Sequence, residues 1–189
     1  PTAQWTATAA GCVLVRPGGE TAGGARIRAV TFGRVTDYRV RDINNMGAAM
    51  APAAAATLLC YLRDAGERPE HFDAILTGDL GAVGSRLLGE LMEAENVPLP
   101  NHLDCGCLLY DAARQKVKAG GSGAGCSAAV LCAHVLPRLC GGTWQRVLFL
   151  ATGALMSQTT FLQKESIPAI AHLVELAAPE TCGGEGENP

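Results

Sequence analysis

The chain has 189 residues, of which 48% are hydrophobic and only 17% charged, with a formal net charge of -3. That balance suits one domain with a real core, or part of a larger one, and gives no basic footprint for nucleic acid. No uninterrupted apolar run reaches the roughly 20 residues a membrane span requires, and the run Val147-Leu148-Phe149-Leu150-Ala151 is strand-sized.

Residues 5–15 are apolar with β-branched members, residues 17–24 make a glycine-rich turn, and residues 27–32 resume a strand pattern. Together they predict an antiparallel hairpin with a loose loop. Residues 42–45 offer N-cap candidates for a helix over 46–64, with Pro52 as a marker of its true start. A short buried strand is expected over 72–76. A helix follows over 80–95, with apolar residues at 80, 83, 87, 88, 91 and 92. Residues 98–115 read as irregular, 122–139 as helix, 147–152 as strand and 169–176 as the final strand. Residues 182–189 form an acidic, glycine-rich tail expected to be disordered. Strands alternating with helices indicate a layered α/β fold, with 72–76, 147–152 and 169–176 in one sheet. The sequence opens on Pro1 rather than Met and shows no signal peptide, so a fragment or processed product is expected.

The most informative stretch is residues 119–129, with glycine at 120, 121, 123 and 125 directly before a helical pattern. Such a turn aims unpaired N–H groups, at the positive end of a helix dipole, toward a carboxylate or phosphate. A close crossing of two backbones would need the same glycines. Spacing alone leaves both open. Of eight cysteines, Cys12, Cys60, Cys132 and Cys140 lie in apolar segments, Cys105 and Cys107 form a C-x-C, and Cys126 sits in the glycine turn. No C-x-x-C pair exists, so reduced thiols are expected, with Cys105 and Cys107 neither joined to each other nor holding zinc.

Further glycine turns follow apolar segments: Thr77-Gly78-Asp79-Leu80-Gly81, Asp104-Cys105-Gly106-Cys107 and Ala151-Thr152-Gly153-Ala154, the last running on to Ser157. With residues 45–53, 120–127 and 165–172 they make an ordered series that resembles the stage V sporulation protein AD family, a branch of the thiolase and β-ketoacyl synthase superfold. The resemblance covers roughly residues 1–176. It implies a thiolase-like half: residues 1–44 as the closing β-hairpin of an absent first half, 45–178 as a complete second half, and 179–189 as tail. It also implies binding of dipicolinic acid, free or as its calcium chelate, for uptake into the developing spore, with membrane proteins of the same locus as partners.

Enzymes of that superfold carry a nucleophilic cysteine in the first half, a histidine after the strand matching 72–76, and a second His or Asn in the turn matching 120–125. This chain has Thr77-Gly78-Asp79 in the first of those second-half places and Ser122 in the other. A carboxylate would repel a developing oxyanion rather than stabilise it. The resemblance therefore implies a non-catalytic binding protein without cofactor or metal of its own. The alternative is a condensing or acyl-transfer enzyme completed by a separate first half; a purely structural subunit is a third possibility. His71, His102, His134 and His172 are expected to be structural or solvated. Candidate ligand contacts in one cleft are Thr77, Asp79, Asp104, Ser122, Gly123, Thr152 and Ser157, with Asp79 equally suited to cap the following helix. An exposed apolar face predicts self-association into a homo-oligomer. The expected location is cytoplasmic or peripheral on the spore inner membrane.

Overall fold

A computed structural model describes residues 2–17 and 24–180 of the chain. Five strands form a mixed sheet in the order β2-β7-β6-β3-β4. They are β2 (Arg26–Thr31), β3 (Ala74–Thr77), β4 (His102–Asp104), β6 (Arg146–Ala154) and β7 (Ala169–Ala177). β3 pairs in parallel with β4 and β6, while β7 runs antiparallel to β6 and β2. Thus the expected strands at 72–76, 147–152 and 169–176 do share one sheet. The fold is layered α/β with parallel and antiparallel pairs.

The sheet is covered on both faces, which explains why β6 reads as a continuous apolar run. Side chains alternate across a strand, so Leu148 and Leu150 enter one core while Val147 and Phe149 enter the other. The first core receives helices α1 (Met46–Ala65) and α2 (Gly81–Ala94) through Ala51, Ala54, Leu58, Leu88 and Met92. The second receives Cys126, Val130, Val135 and Leu139. These come from one continuous helix made of α4 (Ala124–Val130), a π turn (Leu131–Val135) and α5 (Leu136–Cys140). Pro137 lacks the N–H an α-helix needs, and the chain widens into the π turn just before it.

Several expectations fail for identifiable reasons. Residues 5–15 do not pair with 27–32. Only β1 (Trp5–Thr6) is strand, and it pairs in parallel with β5 (Gly121–Ser122). β2 instead joins β7 as the edge of the main sheet, so residues 26–31 belong structurally with the rest of the described chain rather than to a separate hairpin. A local hairpin was the default for adjacent apolar runs, and β7's unpaired edge outcompeted it. Residues 98–115 are not simply irregular, because β4 and α3 (Cys105–Leu109) lie within them. Pro52 sits inside α1 rather than at its start. The expected tail over 182–189 lies outside the described residues.

By length and composition α1 is apolar enough to cross a membrane, although polar residues and Pro52 interrupt its apolar runs. Its alanines are packed in the core: Ala51, Ala53 and Ala54 are fully buried.

α1 and α2 approach closely where Gly47 faces Gly84. A Cβ on Gly84 would stand 2.8 Å from the Gly47 Cα. By contrast, a Cβ on Gly89, in the same helix, would meet nothing within 4 Å. Gly84→Ala is therefore expected to destabilise the chain by about 2 kcal/mol through overpacking. Gly89→Ala should stabilise it by about 0.5–1 kcal/mol through helix propensity. Urea denaturation of the two variants checks the opposite signs.

Candidate functional site

Parallel strands β3 and β4 end side by side, with Thr77 paired to Asp104 in register. β6 passes on the other side of β3 and carries Thr152 beyond it. Ligand contacts in α/β proteins collect at such carboxyl ends.

Asp104 is 3% exposed, and its carboxylate is fully used. Oδ2 accepts from the Thr77 hydroxyl at 2.7 Å and the Leu80 N–H at 2.8 Å. Oδ1 accepts from the N–H groups of Gly81 at 2.9 Å and Cys107 at 3.1 Å. Asp104 thereby caps the starts of both α2 and α3. His102 Nε2 lies 3.0 Å from the Thr77 hydroxyl. Since that hydroxyl gives its hydrogen to Asp104, the imidazole donates through Nε2, a tautomer assigned from the network. Burial holds the His102 pKa below its ordinary value, against the opposing charge of Asp104.

Asp79 sits across the turn. Its Oδ2 accepts from the Gly123 N–H at 2.8 Å, and its Oδ1 from the Thr152 hydroxyl at 2.9 Å. Its own N–H donates to the Thr152 hydroxyl oxygen at 3.1 Å. Burial raises the Asp79 pKa; the Gly123 and Thr152 hydrogen bonds oppose that rise, and the nearby Asp104 adds to it. The side chain of Gln4 donates to the carbonyls of Asp79 at 2.8 Å and Gly121 at 2.7 Å, tying the two turns together.

Both readings of the glycine turn hold, at different glycines. Gly120 has φ +110°, and a Cβ there would stand 2.6 Å from the Gly106 carbonyl oxygen. A Cβ on Gly125 would overlap the Ala9 carbonyl oxygen. Those are close backbone crossings. Gly123, with φ +94°, presents its N–H to a carboxylate, and the carboxylate is the chain's own Asp79.

Three thiols surround this edge. Burial pushes Cys126 up to about 12, helped by Asp79 and Asp104. Burial and then Asp104 push Cys107 up to about 11, and Cys105 is raised further for the same reasons. All three are protonated at neutral pH, unlike an activated nucleophile. All described cysteines are free.

Of the expected contacts, the structure brings together Thr77, Asp79, Asp104, Gly123 and Thr152. Thr77 and Asp104 are buried, so they shape the site from behind. Ser122 adjoins Gly123, and its carbonyl accepts from the Ala7 N–H at 2.9 Å. Ser157 lies apart: its hydroxyl caps α6 (Gln158–Leu162) by accepting from the Thr160 N–H at 3.1 Å, and it makes no hydrogen bond to the others. Asp79 does not cap α2, because Asp104 holds those N–H groups. His102 and Gln4 were missed as members of the cluster. His102 looked like a loop residue, and the partners of Gln4 lie 75 and 117 residues away.

The stage V sporulation protein AD family model matches residues 1–177. The chain belongs to this family. It is 42% identical over 172 residues to the stage V sporulation protein AD of Bacillus subtilis (strain 168), covering 90% of this chain and 50% of that protein. It therefore spans about half the length of that curated relative. Among solved structures it is similar to a tetronic acid condensing enzyme, with a TM-score of 0.49 and 21% identity, covering 85% of this chain and 49% of that one.

Asp104→Ala leaves four donors without their acceptor, three of them backbone N–H groups at helix starts. A loss of about 3 kcal/mol or more is expected by denaturant unfolding. Asp79 should show in the pH dependence of stability. Its folded pKa lies above the ordinary 3.8, so its contribution is lost as pH rises from that value through the raised one. Asp79→Asn removes this penalty, so the stability of the variant relative to wild type should increase across that window. Unfolding midpoints of both proteins from acidic to neutral pH measure the difference.

Proposed function

We propose that this chain contributes to a non-catalytic binding site for dipicolinic acid, free or as its calcium chelate, in a sporulation protein with a thiolase-like fold. The observation that carries the reading is the convergence of Asp79, Thr152 and the Gly123 turn at one sheet edge, in a chain of the stage V sporulation protein AD family. A flat diacid needs hydroxyl and N–H donors for its carboxylates and apolar walls for its ring. Ser122 supplies a hydroxyl and the glycine turn supplies backbone N–H groups, while the Thr152 hydroxyl and the Gly123 N–H hold Asp79 in place beside them. Asp79 places negative charge there, which favours a ligand that arrives with its own cation, because calcium prefers carboxylate oxygen.

Condensation or acyl transfer is less well supported. Asp79 stands where an oxyanion would need a donor, His102 is engaged with Thr77, and the nearby thiols are held protonated. The same reading places the protein in the cytoplasm or peripherally on the spore inner membrane, beside membrane proteins of its locus. Self-association follows from its exposed apolar residues, such as Leu14, Phe32 and Leu162.

The test is isothermal titration of dipicolinate, with and without calcium, into a polypeptide of full family length. Binding should be lost in Ser122→Asp, which sets a further negative charge beside the turn, while circular dichroism stays unchanged. Wild-type affinity in that variant would remove the glycine turn from the site.

A further inference from the structure

Residues 9–12 lie along the central helix as a strap. A Cβ on Gly11 would stand 2.5 Å from the Ala128 carbonyl oxygen, and one on Gly125 would overlap the Ala9 carbonyl oxygen. The last backbone hydrogen bond before this strap joins the Ala7 N–H to the Ser122 carbonyl oxygen at 2.9 Å. Beyond it residues 8–17 are exposed. At the end of the strap the thiol of Cys132 lies 3.8 Å from the carbonyl oxygen of Cys12. That contact sets the Cys132 thiol against the backbone of Cys12. Disulfides form where Cα atoms stand about 4.4–6.8 Å apart.

We propose that Cys12 and Cys132 are a redox modification site, closing an intrachain disulfide that clamps residues 9–12 onto the helix behind the glycine turn. Three of the other described cysteines are less suited. Cys105 and Cys126 are buried with raised pKa values, and the Cys60 thiol is engaged with Asp64 at 3.3 Å. Cys12 is exposed and Cys132 is partly so.

The oxidant is a small-molecule disulfide such as oxidised glutathione. The thiolate of exposed Cys12 attacks one glutathione sulfur and expels the other as a thiolate, leaving a mixed disulfide. The Cys132 thiolate then attacks the Cys12 sulfur, forming the protein disulfide and expelling the second glutathione. Two protein thiols are oxidised, one glutathione disulfide is reduced, and the two thiol protons pass to the expelled thiolates. The bond would close a loop across a separation of 120 residues, so the oxidised form should unfold at a higher temperature.

The test treats the chain with oxidised glutathione, then compares non-reduced and reduced tryptic digests by mass spectrometry. The expected result is the peptide that ends at Arg26, since Pro17 blocks cleavage after Arg16, linked through Cys12 to the peptide between Lys118 and Arg138. Fragmentation must assign Cys132, because Cys126 lies in the same peptide. The link and the rise in unfolding midpoint should vanish with dithiothreitol, and in both Cys12→Ser and Cys132→Ser. Glutathione retained on Cys12 without a linked peptide, or Cys12 joined to any other cysteine, would overturn the proposal.

Discussion

The Asp104 carboxylate is the constraint on which the site depends. It gathers four donors from three segments: the Thr77 hydroxyl, the N–H groups of Leu80 and Gly81, and the N–H of Cys107. In doing so it joins the ends of two parallel strands to the starts of two helices. A buried carboxylate is tolerated only when its oxygens are satisfied. Here each oxygen accepts two hydrogen bonds, so Asp104 has nothing left for a ligand. The consequence passes outward. Thr77 has spent its hydrogen on Asp104, and His102 donates to Thr77 from behind. Asp79, with one N–H and one hydroxyl, is left as the carboxylate nearest the glycine turn.

Glycine and alanine let the layers around that edge come together. At Gly106 and Gly120 two turns cross with no room for a side chain. At Gly47 and Gly84 two helices do the same on the opposite face of the sheet. A small-residue interface brings backbones closer than leucine packing allows, and it gains dispersion contacts across the whole crossing. It also accounts for a composition so rich in apolar residues yet so poor in charge. Both faces of β3 and β6 are covered, which leaves little of the sheet for solvent.

What was legible in the sequence was what local pattern encodes. The helices over residues 46–65 and 81–94 follow from periodicity, and the strand at 146–154 from an apolar run bounded by turns. The family was legible too, through glycine turns in a fixed order. Pairing was not. Trp5–Thr6 finds Gly121–Ser122 across more than half the chain, and no local signal distinguishes that from a hairpin with residues 26–31. Cap assignment failed for the same reason: Asp79 directly precedes α2, yet the cap comes from Asp104, 24 residues from Leu80. Ser157 shows the converse error. It lies in the right motif but three residues past the end of β6, where it serves the exposed helix α6 instead.

The two ends of the sheet treat buried carboxylates differently, and the contrast bears on what the site can hold. At the far end Glu175 is 4% exposed and receives the Arg146 guanidinium at 2.9 Å and the Tyr61 hydroxyl at 2.8 Å. Arg146 also reaches Glu67 at 2.8 Å and lies over the Phe72 ring. That cluster brings its own cation. At the site end, among the described residues, neither Asp79 nor Asp104 has an ion-pair partner. Asp104 offsets its charge with dipoles alone, at helix starts where such dipoles are strongest. Asp79 receives half as many donors in a place where burial already favours its neutral form. A ligand carrying positive charge to that edge would supply what Arg146 supplies at the other end. A bare dianion would have to share a turn whose Gly123 N–H is already given to a carboxylate.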